Sequence, residues 1–156
     1  MAKYSANMQG VGLSTTADFH SLFTTATGQG SVLRIFEIWL SGEAGAPAVN
    51  RIAVNRSTGG TLGATVQTPE KLDPASVAAL FTIAGSATAV SIGTAPTLAT
   101  NDILSPTFNA FGGTVRWVAP PDSEIVVGSQ GAVAPFSFRS RSGTSNISGH
   151  ILIEER

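Results

Sequence analysis

Apolar residues in this chain recur at every second position in short runs, and clusters of Gly, Pro, Asn and Ser part the runs about every 8 to 12 residues. Helical periodicity is scarce. Such a pattern predicts β-strands joined by turns, and the turn spacing suits a sandwich or barrel rather than a parallel sheet. The clearest run is 31–40. Strict alternation turns Val32, Arg34, Phe36, Ile38 and Leu40 one way and Leu33, Ile35, Glu37 and Trp39 the other. Both sets are mainly apolar, which predicts a strand covered on both faces, by a second sheet and by another subunit. Glu37 in such a strand needs a partner, because an unpaired buried charge is costly.

Further strands are predicted over 19–27, 50–56, 62–67, 81–83, 87–92, 98–104, 107–111, 114–118, 124–127, 134–139 and 147–154. In 50–56, Ile52 and Val54 face inward and Arg51 outward, and the 42–47 loop joins this strand to the preceding one as an antiparallel pair. Asp73-Pro74 can start a helix, with Asp at the N-cap and Pro at the first helical position, and 75–80 would hold one or two turns. The expected fold is all-β, an antiparallel β-sandwich with at most one short helix. Residues 19–156 make that single domain. Residues 1–18, polar and poor in apolar anchors, read as an N-terminal arm, either disordered or ordered by lying across a neighbour.

Composition sharpens this picture at one point. Charged residues make up 12% of the chain, against about 25% in ordinary soluble domains, and mean hydropathy is +0.21. A monomer must coat itself with groups that water solvates well. A surface this poor in charge is tolerable where a partner covers it, so a homo-oligomer or lattice component is expected. Nine basic residues against ten acidic ones leave a net charge of -1, without the basic surplus that phosphate binding needs. No nucleic-acid partner is expected. Absence of cysteine excludes disulfides and thiolate metal sites. The first ten residues have no apolar core of a secretory signal, and no apolar run approaches the roughly 20 residues that span a bilayer. A protein made in a cytoplasm, with no membrane partner, is the expectation.

The search for chemistry finds little. His20 and His150 sit in separate predicted strands, with Glu37 and Glu154 as conceivable partners, but no ligand spacing supports a metal or catalytic site. No serine lies in a Gly-x-Ser-x-Gly elbow. Gly28-Gln29-Gly30 and Gly59-Gly60 read as turns, since no helix follows to cradle a phosphate. The carboxylate pairs Asp122/Glu124 and Glu154/Glu155 border a Pro-Pro turn and the chain end, unlike acids held in a pocket. Arg116, Arg139 and Arg141 could form a basic stripe, though salt-bridge roles fit them better. Trp39 and Trp117 could stack on a sugar, but with Phe36 and Ile38 they read foremost as core or intersubunit packing. No catalytic, cofactor-binding or metal-binding residue is assigned, and no cofactor or enzymatic activity is expected.

The stretch Thr114-Val115-Arg116-Trp117-Val118-Ala119-Pro120-Pro121, followed by Glu124-Ile125-Val126-Val127, resembles a pattern in small virion proteins of tailed bacteriophages and prophages. So does Thr68-Pro69-Glu70-Lys71-Leu72-Asp73-Pro74 with Ala78-Ala79 after it, and the similarity covers about residues 31 to 154. The resemblance implies a jelly-roll-like sandwich acting as a capsid decoration (cement) protein. Such a protein would be a homo-oligomer, expected as a trimer, assembled in the host cytoplasm. It would sit on the virion surface and bridge major capsid subunits, with residues 1–18 as the capsid contact. Other readings are a head fibre or tail component and a carbohydrate-binding sandwich module.

Overall fold

The computed structural model describes residues 1–16, 18–24, 32–62, 66–84, 92–127 and 136–156. Among them lie fourteen strands and no helix. A front sheet contains β1 (Ala2–Gly12), β3 (Leu33–Glu43), β6 (Glu70–Lys71), β11 (Phe111–Val118), β12 (Ile125–Val127) and β14 (Asn146–Glu155). Its order is β11-β3-β14-β1-β6, with β12 following β11 along the same edge of β3. A back sheet contains β2 (Asp18–Thr24), β4 (Val49–Thr58), β7 (Phe81–Ala84), β9 (Thr97–Leu98), β10 (Thr107–Asn109) and β13 (Phe136–Ser142). Its order is β10-β4-β13-β2-β7, with β9 on β4. β5 (Thr61–Leu62) and β8 (Ile92–Thr94) pair separately.

The pairing is nested. β1 pairs with β14, β2 with β13, β3 with β11 and β12, and β4 with β9 and β10, all antiparallel. The two halves of the chain therefore run as one ribbon that wraps so that β1, β2, β3 and β4 alternate between sheets. That is a jelly-roll sandwich. The core between the sheets is apolar, with Leu33, Ile35, Leu40 and Ile151 from the front meeting Leu22, Ile52, Phe136 and Phe138 from the back.

Five local expectations are corrected. Residues 1–18 are not an arm, because β1 lies inside the front sheet between β14 and β6. Ala2, Tyr4, Ala6 and Met8 are buried there, and Tyr4 packs edge-on against Phe81 at 5.6 Å. Small inward residues and polar outward ones hid the strand. Gly10, at φ 59, forms the bulge that brings Val11 back into the core.

In β3 the alternation breaks. The register with β14 slips between Glu37 and Ile35, so Phe36 and Glu37 form a bulge with both side chains outside. Leu33, Ile35, Ile38 and Leu40 consequently all face the core.

β3 and β4 do not pair, because the loop between them crosses from front to back. Ala44 donates to the Ala110 carbonyl and Ala110 to the Ala48 carbonyl, each at 2.8 Å, which ties this crossing to the adjacent antiparallel one from β10 to β11.

Residues 75–80 form no helix. Asp73 Oδ1 accepts the Ala75 N–H at 2.9 Å and its carbonyl accepts the Ser76 N–H at 3.0 Å, which makes a single turn. Leu72 and Val77 there are exposed, so a longer helix would have no apolar face to bury. The strand expected over 98–104 is mostly an irregular cover that rejoins β4 at a Val54–Leu104 bridge. The expectation over 87–91 falls outside the described residues.

Candidate interaction surface

The outer faces of the two sheets differ in kind. Behind the back sheet, Ser137 shares hydrogen bonds with Ser21 at 3.0 Å and Ser57 at 2.8 Å, and Ser21 donates to Asp18 at 3.0 Å. Arg139 Nε donates to Asp18 at 2.6 Å and its Nη2 to the Pro96 carbonyl at 2.8 Å. Asn55 donates to the Ala99 carbonyl at 2.8 Å and to Asp102 at 3.0 Å. The 96–102 segment thus lies over this face and helps to bury it.

Among the described residues no such segment seals the front. Strand register sets its outward residues in rows across β11 or β12, β3 and β14: Arg116–Trp39–His150, then Val118–Glu37–Leu152, then Val126–Arg34–Glu154. The Trp39 and His150 rings stack at 5.6 Å with 27° between their planes. Lys3, from β1, places its ammonium 5.5 Å from the centre of the Phe36 ring. Phe36, Trp39 and Leu152 are half-buried, and Val118 and Val126 are exposed. The result is an aromatic and aliphatic plateau.

The charges on this plateau are paired within the chain. Arg116 grips Glu37 with two bonds, Nε to Oε1 at 3.0 Å and Nη2 to Oε2 at 2.9 Å, and His150 Nε2 lies 3.2 Å from Oε1. The Arg116 hydrogen bonds hold the Glu37 carboxyl below its ordinary pKa, against the opposing effect of its burial, and His150 adds to them. Arg156 does the same for Glu154 at 2.8 Å, helped by Lys3 and Arg34. Arg34 reaches Glu124 at 3.8 Å. The bulge at Phe36 and Glu37 makes the first cluster possible, since unbroken alternation would have put Glu37 and Trp39 on the same face as Leu33.

The four packing residues separate. Phe36 and Trp39 lie on the plateau, Ile38 is in the core, and Trp117 turns inward and packs against the core from the edge. Arg116 is in front while Arg139 and Arg141 are on β13 at the back, so there is no common basic stripe. Each arginine holds a carboxylate of its own chain, Arg141 taking Asp102 at 2.6 Å. His20 is fully buried with its ring edge-on to Phe138 at 5.4 Å, and burial lowers its pKa to about 3. It is a neutral core residue. Glu154 and Glu155 point to opposite faces, and inward Glu155 accepts the Leu80 N–H at 3.2 Å. Among the described residues no group of three His, Asp or Glu side chains could hold a metal, and His150 reaches no hydroxyl.

Sequence reasoning missed the Trp39–His150 stack and the share of Leu152, Val118 and Val126 in the plateau. The available signal was the alternation within 147–154, which sets His150 and Leu152 on one face and Ile151 and Ile153 on the other. No protein-family model, curated protein or solved structure matches this chain.

Proposed function

We propose that this chain is a structural virion protein, a capsid decoration (cement) protein that oligomerises as a trimer and bridges major capsid subunits. The observation that carries the reading is the front plateau. Phe36, Trp39, Leu152, Val118 and Val126 share one sheet face that no described segment seals and whose ion pairs are internally neutralised, in a chain with only 12% charged residues. Neutralised charge lowers the cost of covering such a face, and apolar area removed from water contributes about 25 cal/mol per Å² before the entropic cost of association. The role is mechanical: a shell pressed from within by packaged DNA is held by bridges between neighbouring subunits. An oligomer adds avidity, because tethered contacts rarely release together. Jelly rolls serve in capsid and lectin domains alike, so the fold by itself does not choose a role. The resemblance of 114–127 to phage virion proteins favours the capsid. With β1 built into the sheet, the capsid contact moves from residues 1–18 to the plateau.

A photo-crosslinking residue in place of Leu152 tests this in the virion-producing cell. Crosslinks to a second copy and to the major capsid protein are expected, and crosslinks to neither would overturn the reading.

One observation favours a carbohydrate-binding module as a second reading. The Trp39 indole, stacked on His150 and flanked by Arg116 and Glu37, is the kind of surface on which a sugar ring can lie. On a glycan array that reading requires binding that Trp39→Ala removes and Trp117→Phe spares.

A further inference from the structure

We propose that the free edge of β11, with the cleft beside it, accepts an extended segment of another polypeptide as an added strand, reading an acidic residue flanked by aliphatic ones. This goes beyond the decoration role and uses the edge of the front sheet rather than its face.

Main-chain geometry comes first. Among the described residues β11 pairs along one side only, with β3. Ala119 donates to the Phe36 carbonyl at 2.9 Å, in register with the Trp117–Ile38 pair. Antiparallel bonding alternates, so Val115, Trp117 and Ala119 turn their N–H and C=O groups towards β3. Thr114, Arg116 and Val118 therefore turn theirs away from it, to the open side. Below them Pro120-Pro121 leaves the edge, turns at Asp122 (φ 62) and returns as β12, which limits the free length to 114–118. Unpaired strand edges are templates for a further strand.

The cleft is an independent observation at the same place. Ile38, Val54, Leu104, Pro106, Val115 and Trp117 line an apolar space of about 240 Å³ where the two sheets part beside β11. A cavity of about 150 Å³ already admits benzene, so a branched aliphatic side chain fits. Val115 and Trp117 are the inward positions of β11. Residues of an added strand that lie beside them point into this space.

Charge completes the match. A residue directly opposite Arg116 shares its outward face. Arg116 is 62% exposed and holds Glu37 through Nε and Nη2, which leaves Nη1 to meet a second carboxylate. Across the cleft, exposed Arg51 donates to Ser105 at 3.0 Å and has no carboxylate partner among the described residues. Two arginines at the rim favour an acidic segment and repel a basic one.

The test uses the full chain carrying Trp39→Phe, which leaves Trp117 as the one indole of the two, titrated with the synthetic peptide acetyl-Thr-Leu-Glu-Leu-Thr-amide. A saturable change in Trp117 emission is expected. N-methylating the peptide's Glu, whose N–H would face β11, should weaken binding about tenfold, because a main-chain bond is lost. N-methylating a Leu, whose N–H faces away, should leave binding unchanged, and a Lys in place of Glu should abolish it. No saturable change with the parent peptide, equal effects of the two methylations, or equal binding of the Lys peptide would each overturn the assignment. The readout does not depend on the plateau or on self-association, so its failure leaves the decoration reading untouched.

Discussion

On the outside of the back sheet, Ser21, Ala53, Asn55 and Ser137 are fully buried, whereas Phe36, Trp39, His150 and Leu152 on the outside of the front sheet are only partly buried. The sealed face carries small hydroxyl and amide groups, and its polar bonds close within the chain, onto Asp18, Asp102 and the carbonyls of Pro96 and Ala99. The open face carries the larger side chains, with its charges already matched. A chain short of ionised groups has thus covered the face where small polar residues can be satisfied locally. Among the described residues it leaves more open the face where burial by a partner would bring more apolar area.

Substitutions should separate the two faces by size of effect. The largest belongs to the back. Asp18→Ala strands Arg139 in a half-buried site and should cost about 3 to 5 kcal/mol in denaturant unfolding. Its front counterpart, Glu37→Gln, should cost much less, because Arg116 is exposed and water can replace the lost partner. Near-equal losses would erase the contrast drawn here.

The next effect is of pH. His20 stays neutral in the fold down to about pH 3, because burial opposes its charge, while the unfolded chain takes up a proton near pH 6.5. Its contribution is complete above the unfolded value and is lost as pH falls from there towards 3. The slope approaches about 1.4 kcal/mol per pH unit, or about 2 to 3 kcal/mol between pH 6 and 4. In His20→Leu this part of the acid limb should flatten. The Glu37 contribution, from a carboxyl held low by Arg116, is complete above the ordinary Glu value and is lost as pH falls from there through its lowered value in the fold, so its loss begins at lower pH than that of His20. Unfolding midpoints of both proteins across this range measure the difference.

A smaller loss follows from Ser137→Ala, which removes the hydroxyl that Ser21 and Ser57 share, and about 1 kcal/mol is expected in the same unfolding experiment.

Much of this architecture was readable from alternation. The strands at β4 and β14 stand out because large aliphatic residues repeat with period two against polar ones, and β3 stands out as a run that is apolar on both sides. β1 did not, because its inward set includes Ala2 and Ala6, whose small side chains barely register as a hydrophobic period. The bulge at Phe36 and Glu37 was invisible for a different reason. It shows only when β14 lies alongside, since the slip is a property of the pair. The same limit applies to the plateau. Phe36 and Trp39 were identifiable as packing residues, but His150 joins Trp39, and Arg116 joins Glu37, only through pairings between strands more than 70 residues apart. Ile38 and Trp117 looked equivalent to Trp39 by composition, and only the fold directs them inward.

Native mass measurement of the purified chain beside Trp39→Asp tests the central claim most directly. The account predicts that the parent chain runs as an oligomer of 15.9 kDa subunits, a trimer by the proposed role, and that Trp39→Asp yields folded single subunits. A parent chain that stays at 15.9 kDa at every concentration would contradict it.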